Sequence, residues 1–462
     1  MDSFMLHLVI KEDKESCITL PHFLQNHDAF KEKLDIIVSF GQKKVQAPIR
    51  FHQGEELVLS KKVCKKLCCP YCDTNIHIII SSKMIKIGPL IAIYAKENKH
   101  GDFGILNTLL ISFFEVCKKR GAALMVFAPN NIDYKNQKIN GYLYNEVNNV
   151  WESNEFPFPD IIMDRGIFGS TTFNKAAHKE REYFKTNNKI IRFNSGIGSK
   201  YDTFNILFNN PILKQHLPHT IIYKTYIDII NMLDKYKEIY LKPAHGTQGK
   251  GIIKISKNIN SYSVKINGHN YICKSTNGFK NIIKNKLLII NNKKYIIQQG
   301  INLFKRKNKI IDFRLLLQKN KNMRWEITAL LARISKENGI TTNLSLGGTV
   351  ADGKTIINKI AVSLNKDKNI LIQQLNDTAL LAAITLEAHN GTYGELGIDL
   401  GLDKNGNIWI IEINPRPGRK SLKILSDEIR TKSIEVPISY CVQLWQQKFR
   451  GKVNVEKHSS GD

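Results

Sequence analysis

Asn405-Gly406-Asn407-Ile408-Trp409-Ile410-Ile411-Glu412-Ile413-Asn414-Pro415 is the stretch on which the reading of this chain turns. Apolar residues fill Ile408 to Ile411, as in a buried strand. Glu412 and Asn414, two residues apart on that strand, point to one face. Asn405-Gly406 just ahead of it is the strongest short hairpin signal. A two-residue loop there sets Asp399 directly opposite Glu412, whereas a longer loop shifts the register. Three oxygen donors at one spot on a sheet suit hard Mg2+ bound together with substrate phosphates. The plainer alternative is a surface hairpin with scattered polar residues.

Composition sets the bounds. With 462 residues the chain has room for two or three domains, and 42% hydrophobic and 24% charged content is that of a soluble globular protein. No run approaches 18 apolar residues, so no membrane span or membrane partner is expected. The start, Met1-Asp2-Ser3-Phe4, lacks the basic-then-apolar layout of a signal peptide, which makes a cytoplasmic location the expectation. The net charge of +27 favours anionic partners: nucleotides, acidic peptides, polyanions or nucleic acid. No nucleic-acid module with interleaved aromatics stands out, which weighs against the last of these. Cys64, Cys68, Cys69 and Cys72, with His77 nearby, have one CxxC spacing but no second pair. They read as incidental thiols, with zinc as the alternative.

The texture of the chain changes along its length. Residues 1–85 alternate short β-like runs with turns, as in Ile36-Ile37-Val38-Ser39-Phe40, and predict a small β-rich N-terminal module. Over 86–190 a compact strand Leu90-Ile91-Ala92-Ile93-Tyr94, a helical period from Phe103 to Arg120 and a second strand Ala122–Phe127 predict a βαβ unit with a parallel sheet. Residues 191–450 read as α+β, and 451–462 as a polar tail.

Three further motifs carry chemistry. Lys242-Pro243-Ala244-His245-Gly246-Thr247-Gln248-Gly249-Lys250-Gly251 is a basic strand end followed by a glycine-rich turn, whose N–H groups can cradle phosphate. It fits neither a Walker A loop nor a GxGxxG fingerprint, and an ordinary glycine-rich hairpin is the alternative. Asp312-Phe313-Arg314 opens one long strand and Arg333 closes the next. Arginines so placed can clamp phosphate or carboxylate oxygens, or act as surface salt-bridge partners. A loop with Asn343-Leu344 and Gly347-Gly348 follows.

The order lysine, glycine loop, arginines, asparagine loop and acidic hairpin resembles the ATP-grasp superfamily over roughly 191–440. The motifs are similar to those shared by glutathione synthetases and ribosomal-protein glutamate ligases. A closer resemblance, covering nearly the whole chain, is to the YheC/YheD family of endospore coat-associated proteins. It is carried by Ile87-Gly88-Pro89, Asp164-Arg165, Phe193-Asn194, Leu217-Pro218-His219-Thr220 and Glu395-Leu396-Gly397-Ile398-Asp399.

That resemblance implies an α/β and α+β ATP-grasp fold: a pre-ATP-grasp βαβ domain plus two ATP-binding α+β subdomains. It implies ATP and Mg2+ as cofactors. Lys200 and Lys242 would contact the ATP phosphates, and Gly246, Thr247, Gln248, Gly249 and Gly251 would close over them. Gln298, Gln299 and Ile301 would border adenine, although Gln299-Gly300 stands where glutamate ligases usually carry an acidic-aromatic pair. Asp399, Glu412 and Asn414 would hold Mg2+. Arg314 and Arg333 would stabilise the transferring phosphoryl group, and Asn343 would orient phosphate or acceptor. The activity implied is ADP-forming carboxylate–amine ligation on an amino acid, peptide or protein, in the cytoplasm of a spore-forming bacterium or at its spore coat, with coat proteins as partners. A non-catalytic coat protein that keeps the fold is the alternative. Arg416 and Arg419 read as contacts for an anionic substrate group or as a solvated pair, and Asp164-Arg165 as a pair facing the acceptor or each other.

Overall fold

The structure is a computed structural model that describes all residues except 1, 14, 32–34, 83, 99–101, 167–170, 195, 247–250, 267, 289–293 and 452–462. The expected 451–462 tail therefore lies almost wholly outside the described residues. The chain divides into two compact units, 1–195 with 319–324 and 431–462, and 196–318 with 325–430.

In the first unit, seven strands between 2 and 88 close into a barrel. Strand Thr74–Ser81 shows how the sequence builds it: Ile76, Ile78 and Ile80 fill the barrel interior, while Ile79 points into the core of the adjoining layer. That layer is a sheet in which Leu90–Tyr94, Ala123–Phe127, Ile161–Asp164 and Ile191–Phe193 run parallel. Helix Asn107–Lys119 connects the first two strands, both buried along their whole length, as a sheet covered on both faces requires. The long helix Asp427–Phe449 adds Ile434, Ile438, Cys441 and Trp445 to the same core. The sequence pattern did not reveal this helix, because its apolar stripe is interrupted by polar residues and Pro437.

The second unit holds two antiparallel sheets. The first orders Thr220–Ile222, Tyr295–Gln299, Glu238–Pro243, Ile253–Lys257, Tyr262–Ile266 and His269–Cys273. The second orders Thr349–Asp352, Trp325–Ile334, Lys309–Lys319, Glu395–Leu402 and Ile408–Asn414, backed by helices Gly353–Leu364 and Lys368–Asn390. In the second sheet Ile311, Phe313, Leu315 and Leu317 alternate into the core with Leu396, Ile398, Leu400 and Leu402. The residues between them are thereby committed to the opposite face.

The last hairpin departs from the expected turn. Asp403 donates its N–H to Asn407 O at 3.0 Å, and Gly406 takes a positive φ of 79°. The loop therefore has three residues, a type I turn closed by a left-handed glycine. Asp403 fixes it, accepting from the N–H groups of Asn405 and Asn407, both at 2.9 Å, and from the Trp409 indole at 3.1 Å. Near the turn Leu402 pairs with Ile408 and Leu400 with Ile410; a bulge at Ile411 then restores Asp399 opposite Glu412. The expected pairing exists, but the bulge produces it and not a two-residue turn. Ile408, Ile410 and Ile413 face the core, so if Ile411 took a regular strand position instead of the bulge, Glu412 and Asn414 would point there too. Deleting Ile411 removes the bulge and its offset together and leaves Glu412 and Asn414 on their present face, so in urea titrations it should cost clearly less than the roughly 3 kcal/mol or more that driving a carboxylate into an apolar core would cost. A loss that large would show that strand phase alone does not set the facing.

Candidate active site

Asp312 and Arg314 sit on the face of strand Lys309–Lys319 opposite its core residues. Arg314 pairs in register with Asp399, and Asp399 with Glu412, so one transverse row crosses three strands. Arg314 engages both oxygens of Asp399, through Nε and, at 2.7 Å, through Nη2. Arg333 approaches from the next strand, with Nη2 2.8 Å from Asp399 Oδ2. It also grips Asp312 in a fork, at 2.7 Å from Nε and 2.8 Å from Nη2. The Thr342 hydroxyl donates to the same Asp312 carboxylate. Gly397 makes room for this row, since a Cβ there would lie 3.3 Å from Arg314 Cδ.

Electrostatics follow from this packing. Burial opposes charge on Asp399, but Arg314 and Arg333 outweigh it and hold the carboxyl below its usual value. Burial likewise works against Arg333, and Asp399 and Asp312 more than offset it, raising its pKa. Both groups are therefore ionised at neutral pH.

Lysines arrive from the other elements. Ser199 and Asp202 form a capping box that starts helix Lys200–Phe208, and the Lys200 N–H donates to Ala244 O at 2.9 Å. This ties the helix start to the base of the glycine-rich segment, and the Lys200 ammonium pairs with Glu412. Lys242 donates to Gln298 Oε1 at 2.6 Å, and Gln298 donates on to Thr220 at 3.0 Å. Desolvation and then repulsion by Lys200 pull the Lys242 pKa down to about 8, against the attraction of Glu412, Asp399 and Asp312.

The remaining expected residues fall around this centre. Gln299 Oε1 accepts the His219 N–H at 3.1 Å, and half-buried Ile301 follows in the link between the two sheets. Gly246 and Gly251 flank the glycine-rich segment, and the Tyr295 hydroxyl fixes its far end by donating to Gly251 O at 3.1 Å. Thr247, Gln248 and Gly249 lie outside the described residues. Asn343 is half-buried directly after Thr342. Asn414 Oδ1 accepts the Arg416 N–H at 2.9 Å, which fixes its side chain.

Asp312 holds Arg333, a role that the motif Asp312-Phe313-Arg314 does not by itself assign; its two-residue spacing from Arg314 is the available signal. Arg419 fits neither reading given to it, because it is only 4% exposed and pairs with buried Glu395. Asp164 takes both prongs of Arg181, at 2.7 and 2.9 Å. Among the described residues no group of three His, Cys, Asp or Glu is arranged to hold a metal ion, in the cysteine cluster or elsewhere.

A helix start and a sheet strand that bring Lys200 and Lys242 to the carboxylate–arginine row of the second sheet mark this as an ATP-grasp protein. The chain belongs to the YheC/D like ATP-grasp family, which residues 189–444 match. It is 28% identical over 395 residues to the endospore coat-associated protein YheD of Bacillus subtilis, covering 82% of this chain and 84% of YheD. It is 26% identical over 332 residues to YheC of the same organism, covering 71% of this chain and 90% of YheC. Among solved structures it is similar to the D-cycloserine synthetase DcsG, with 11% identity, a TM-score of 0.46, and 77% of this chain and 99% of that one covered. The VanG D-Ala:D-Ser ligase from Enterococcus faecalis gives 11% identity, a TM-score of 0.46, and coverage of 78% and 99%.

Asp312→Ala should destabilise the protein by about 3–5 kcal/mol in urea unfolding, because it leaves Arg333 short of a buried counter-charge. Asp312→Asn, which keeps the volume and hydrogen-bond acceptance but removes the charge, should lose nearly as much. A clearly smaller loss for Asn than for Ala would show that packing and hydrogen bonding, not charge, matter there.

Proposed function

We propose that this protein is an ATP- and Mg2+-dependent carboxylate–amine ligase acting on an amino acid, peptide or protein. The observation that carries the reading is the convergence of Lys200, Lys242, Arg314 and Arg333 on Asp312, Asp399 and Glu412, a cation-rich centre shaped for a triphosphate. A substrate carboxylate oxygen would attack the γ-phosphorus while the bond to the β,γ-bridging oxygen breaks and ADP leaves. An amine would then attack the acyl carbon, the bond to phosphate oxygen would break, and the nitrogen would lose its proton to solvent. Positioning and charge neutralisation suffice for both steps, and no protein nucleophile is needed.

The donor set fits Mg2+ in part. Glu412 and Asn414 present oxygens on one face, suited to a hard cation that keeps several waters and phosphate ligands. Bound there, the ion would neutralise charge on the phosphates. Asp399 has both oxygens on guanidiniums, so it would join the set only as Arg314 or Arg333 turns to phosphate. Lys200 would likewise exchange Glu412 for a phosphate oxygen. Gln298, Gln299 and Ile301 would border the base, and Asn343 the phosphate or acceptor.

A second reading comes from the relatives, which are called endospore coat-associated: a coat protein that keeps the fold without the chemistry. Attachment to the coat and partnership with coat proteins are consistent with either reading. Among the described residues no helix is long and apolar enough to cross a membrane.

Titration calorimetry should show Mg2+-dependent ATP binding that Lys242→Ala and Glu412→Ala each weaken at least tenfold while the proteins stay folded. With pooled amino acids and peptides, ADP, phosphate and a new amide mass should appear. No ATP binding by the wild-type protein would defeat the ligase reading, and AMP with pyrophosphate would defeat the acyl-phosphate route.

Affinity should also depend on pH. The Lys242 pKa of about 8 means that the ammonium is mostly charged at neutral pH and is lost as pH rises through that value. Each further unit then costs ATP binding about 1.4 kcal/mol for reprotonation. Calorimetry in buffers of different ionisation enthalpy should register proton uptake on binding above that pH. Binding that is flat with pH would remove Lys242 from the phosphate contacts.

A further inference from the structure

Between Glu238 and Asp312 the chain contains no acidic residue. Residues 239–311 hold 15 of the 68 lysines and arginines and none of the 41 aspartates and glutamates. A lysine-rich composition alone does not remove acids, so this stretch departs from the rest of the chain in charge and not only in lysine use. Much of the excess lies on strands and on helix Thr276–Leu288, but its densest part is a single hairpin, Lys305-Arg306-Lys307-Asn308-Lys309.

The hairpin is built to stay fixed and exposed. Lys305 pairs with Ile310 and Arg306 with Lys309, which leaves Lys307-Asn308 as a two-residue loop. Both loop residues have positive φ, 48° and 56°, the conformation of the tightest hairpin turn. Glycine is the favoured second residue of such a turn and lysine is not among those favoured for the first, so a cation stands at the tip despite local preference. All four basic side chains are exposed, and among the described residues none has an ion-pair partner. The adjoining turn adds Lys336 and one acid, Glu337.

The base of the hairpin is tied to the candidate active site. Ser335 N–H donates to Ile310 O at 2.9 Å, the Ser335 hydroxyl accepts the Ile310 N–H at 2.9 Å, and Asn338 N–H donates to Asn308 O at 3.1 Å. Ser335 lies two residues beyond Arg333, and Ile310 two residues before Asp312. From Lys307 to Asp312 the strand runs five residues, roughly 17 Å at an extended rise. The hairpin is thus a cationic post at a fixed distance from the arginine row.

We propose that this hairpin docks an acidic segment of a polypeptide substrate, holding one of that polypeptide's carboxylates within reach of the site. The inference rests on the ligase reading for what the docked segment is used for, but not for the docking itself. Four unpartnered cations on a rigid two-strand support match a run of Glu or Asp side chains in an extended peptide. A single-stranded nucleic acid fits less well, because the hairpin carries no aromatic side chain on which a base could stack.

The test uses the full-length protein and fluorescence anisotropy. The probe is a labelled Glu-rich peptide of about twelve residues, long enough to span hairpin and site, beside a twin with Gln in place of Glu. The Glu peptide should bind saturably and release with added salt, and the Gln twin should bind at least about tenfold more weakly. Lys305→Glu/Lys307→Glu should lose at least about tenfold in Glu-peptide affinity, and Lys305→Gln/Lys307→Gln an intermediate amount. Melting temperature and Mg2+-ATP affinity should stay at wild-type values in both. Undiminished peptide binding by the Glu variant would overturn the proposal. So would a single-stranded RNA of equal charge that displaces the peptide at lower concentration, which would mark a general polyanion surface. Peptide binding without phosphate release would leave the docking intact and defeat the ligase reading. Phosphate release with the acidic peptide that the Glu variant sustains equally well would do the reverse.

Discussion

Asp312, Arg333, Asp399 and Arg314 form a chain of alternating charge across the second sheet of the 196–318 and 325–430 unit. The rest of that unit is arranged so that the chain can exist. Asp399 is only 2% exposed, and a carboxylate so placed is tolerable only when its oxygens are hydrogen-bonded to opposite charge. Two arginines supply this, and the second of them needs Asp312 in turn. The alternating Ile, Phe and Leu residues on the same strands give the face its rigidity by filling the other side. Removing one member strands a neighbour, so these residues act as one unit and their individual contributions cannot be summed.

The bulge at Ile411 belongs to the same constraint. Charged groups can converge only if the last strand presents them on the face where Asp399 lies, and the three-residue loop alone would present the wrong face. One extra residue corrects the phase after the strand has already packed Ile408 and Ile410. The hairpin therefore serves two masters in sequence: a core contact near its turn and a polar face at its end.

This explains what was legible in the sequence. Glu412, Asn414 and Asp399 were readable as a group because side-chain alternation depends only on spacing and strand pairing. Their pairing followed from the turn by an argument whose premise fails, since the loop is longer and a bulge compensates. Bulges depend on tertiary packing and leave little trace in local composition. The fold class was legible because strands buried on both faces leave continuous apolar runs, and because the order of lysine, glycine loop, arginines and acidic hairpin resembles a known family. Helix Asp427–Phe449 was not, because its polar residues and Pro437 interrupt its apolar period. The partners of Arg419 and Asp164 were also beyond reach. Glu395 is 24 residues from Arg419, and Arg181 is 17 residues from Asp164, and no short-range rule joins either pair.

The lysines complete the argument from the opposite direction. Lys242 is held buried and close to Lys200, and its lowered pKa records the burial first and the repulsion second. A structural charge cluster relaxes toward neutrality, as the Asp–Arg chain beside it does. Here two cations are kept against that tendency, one on Glu412 and one on a neutral glutamine. On the proposed ligase reading, a site held short of negative charge in this way would gain most from a ligand that brings several negative charges at once, and a triphosphate would do so in a geometry that two lysines and two arginines can share.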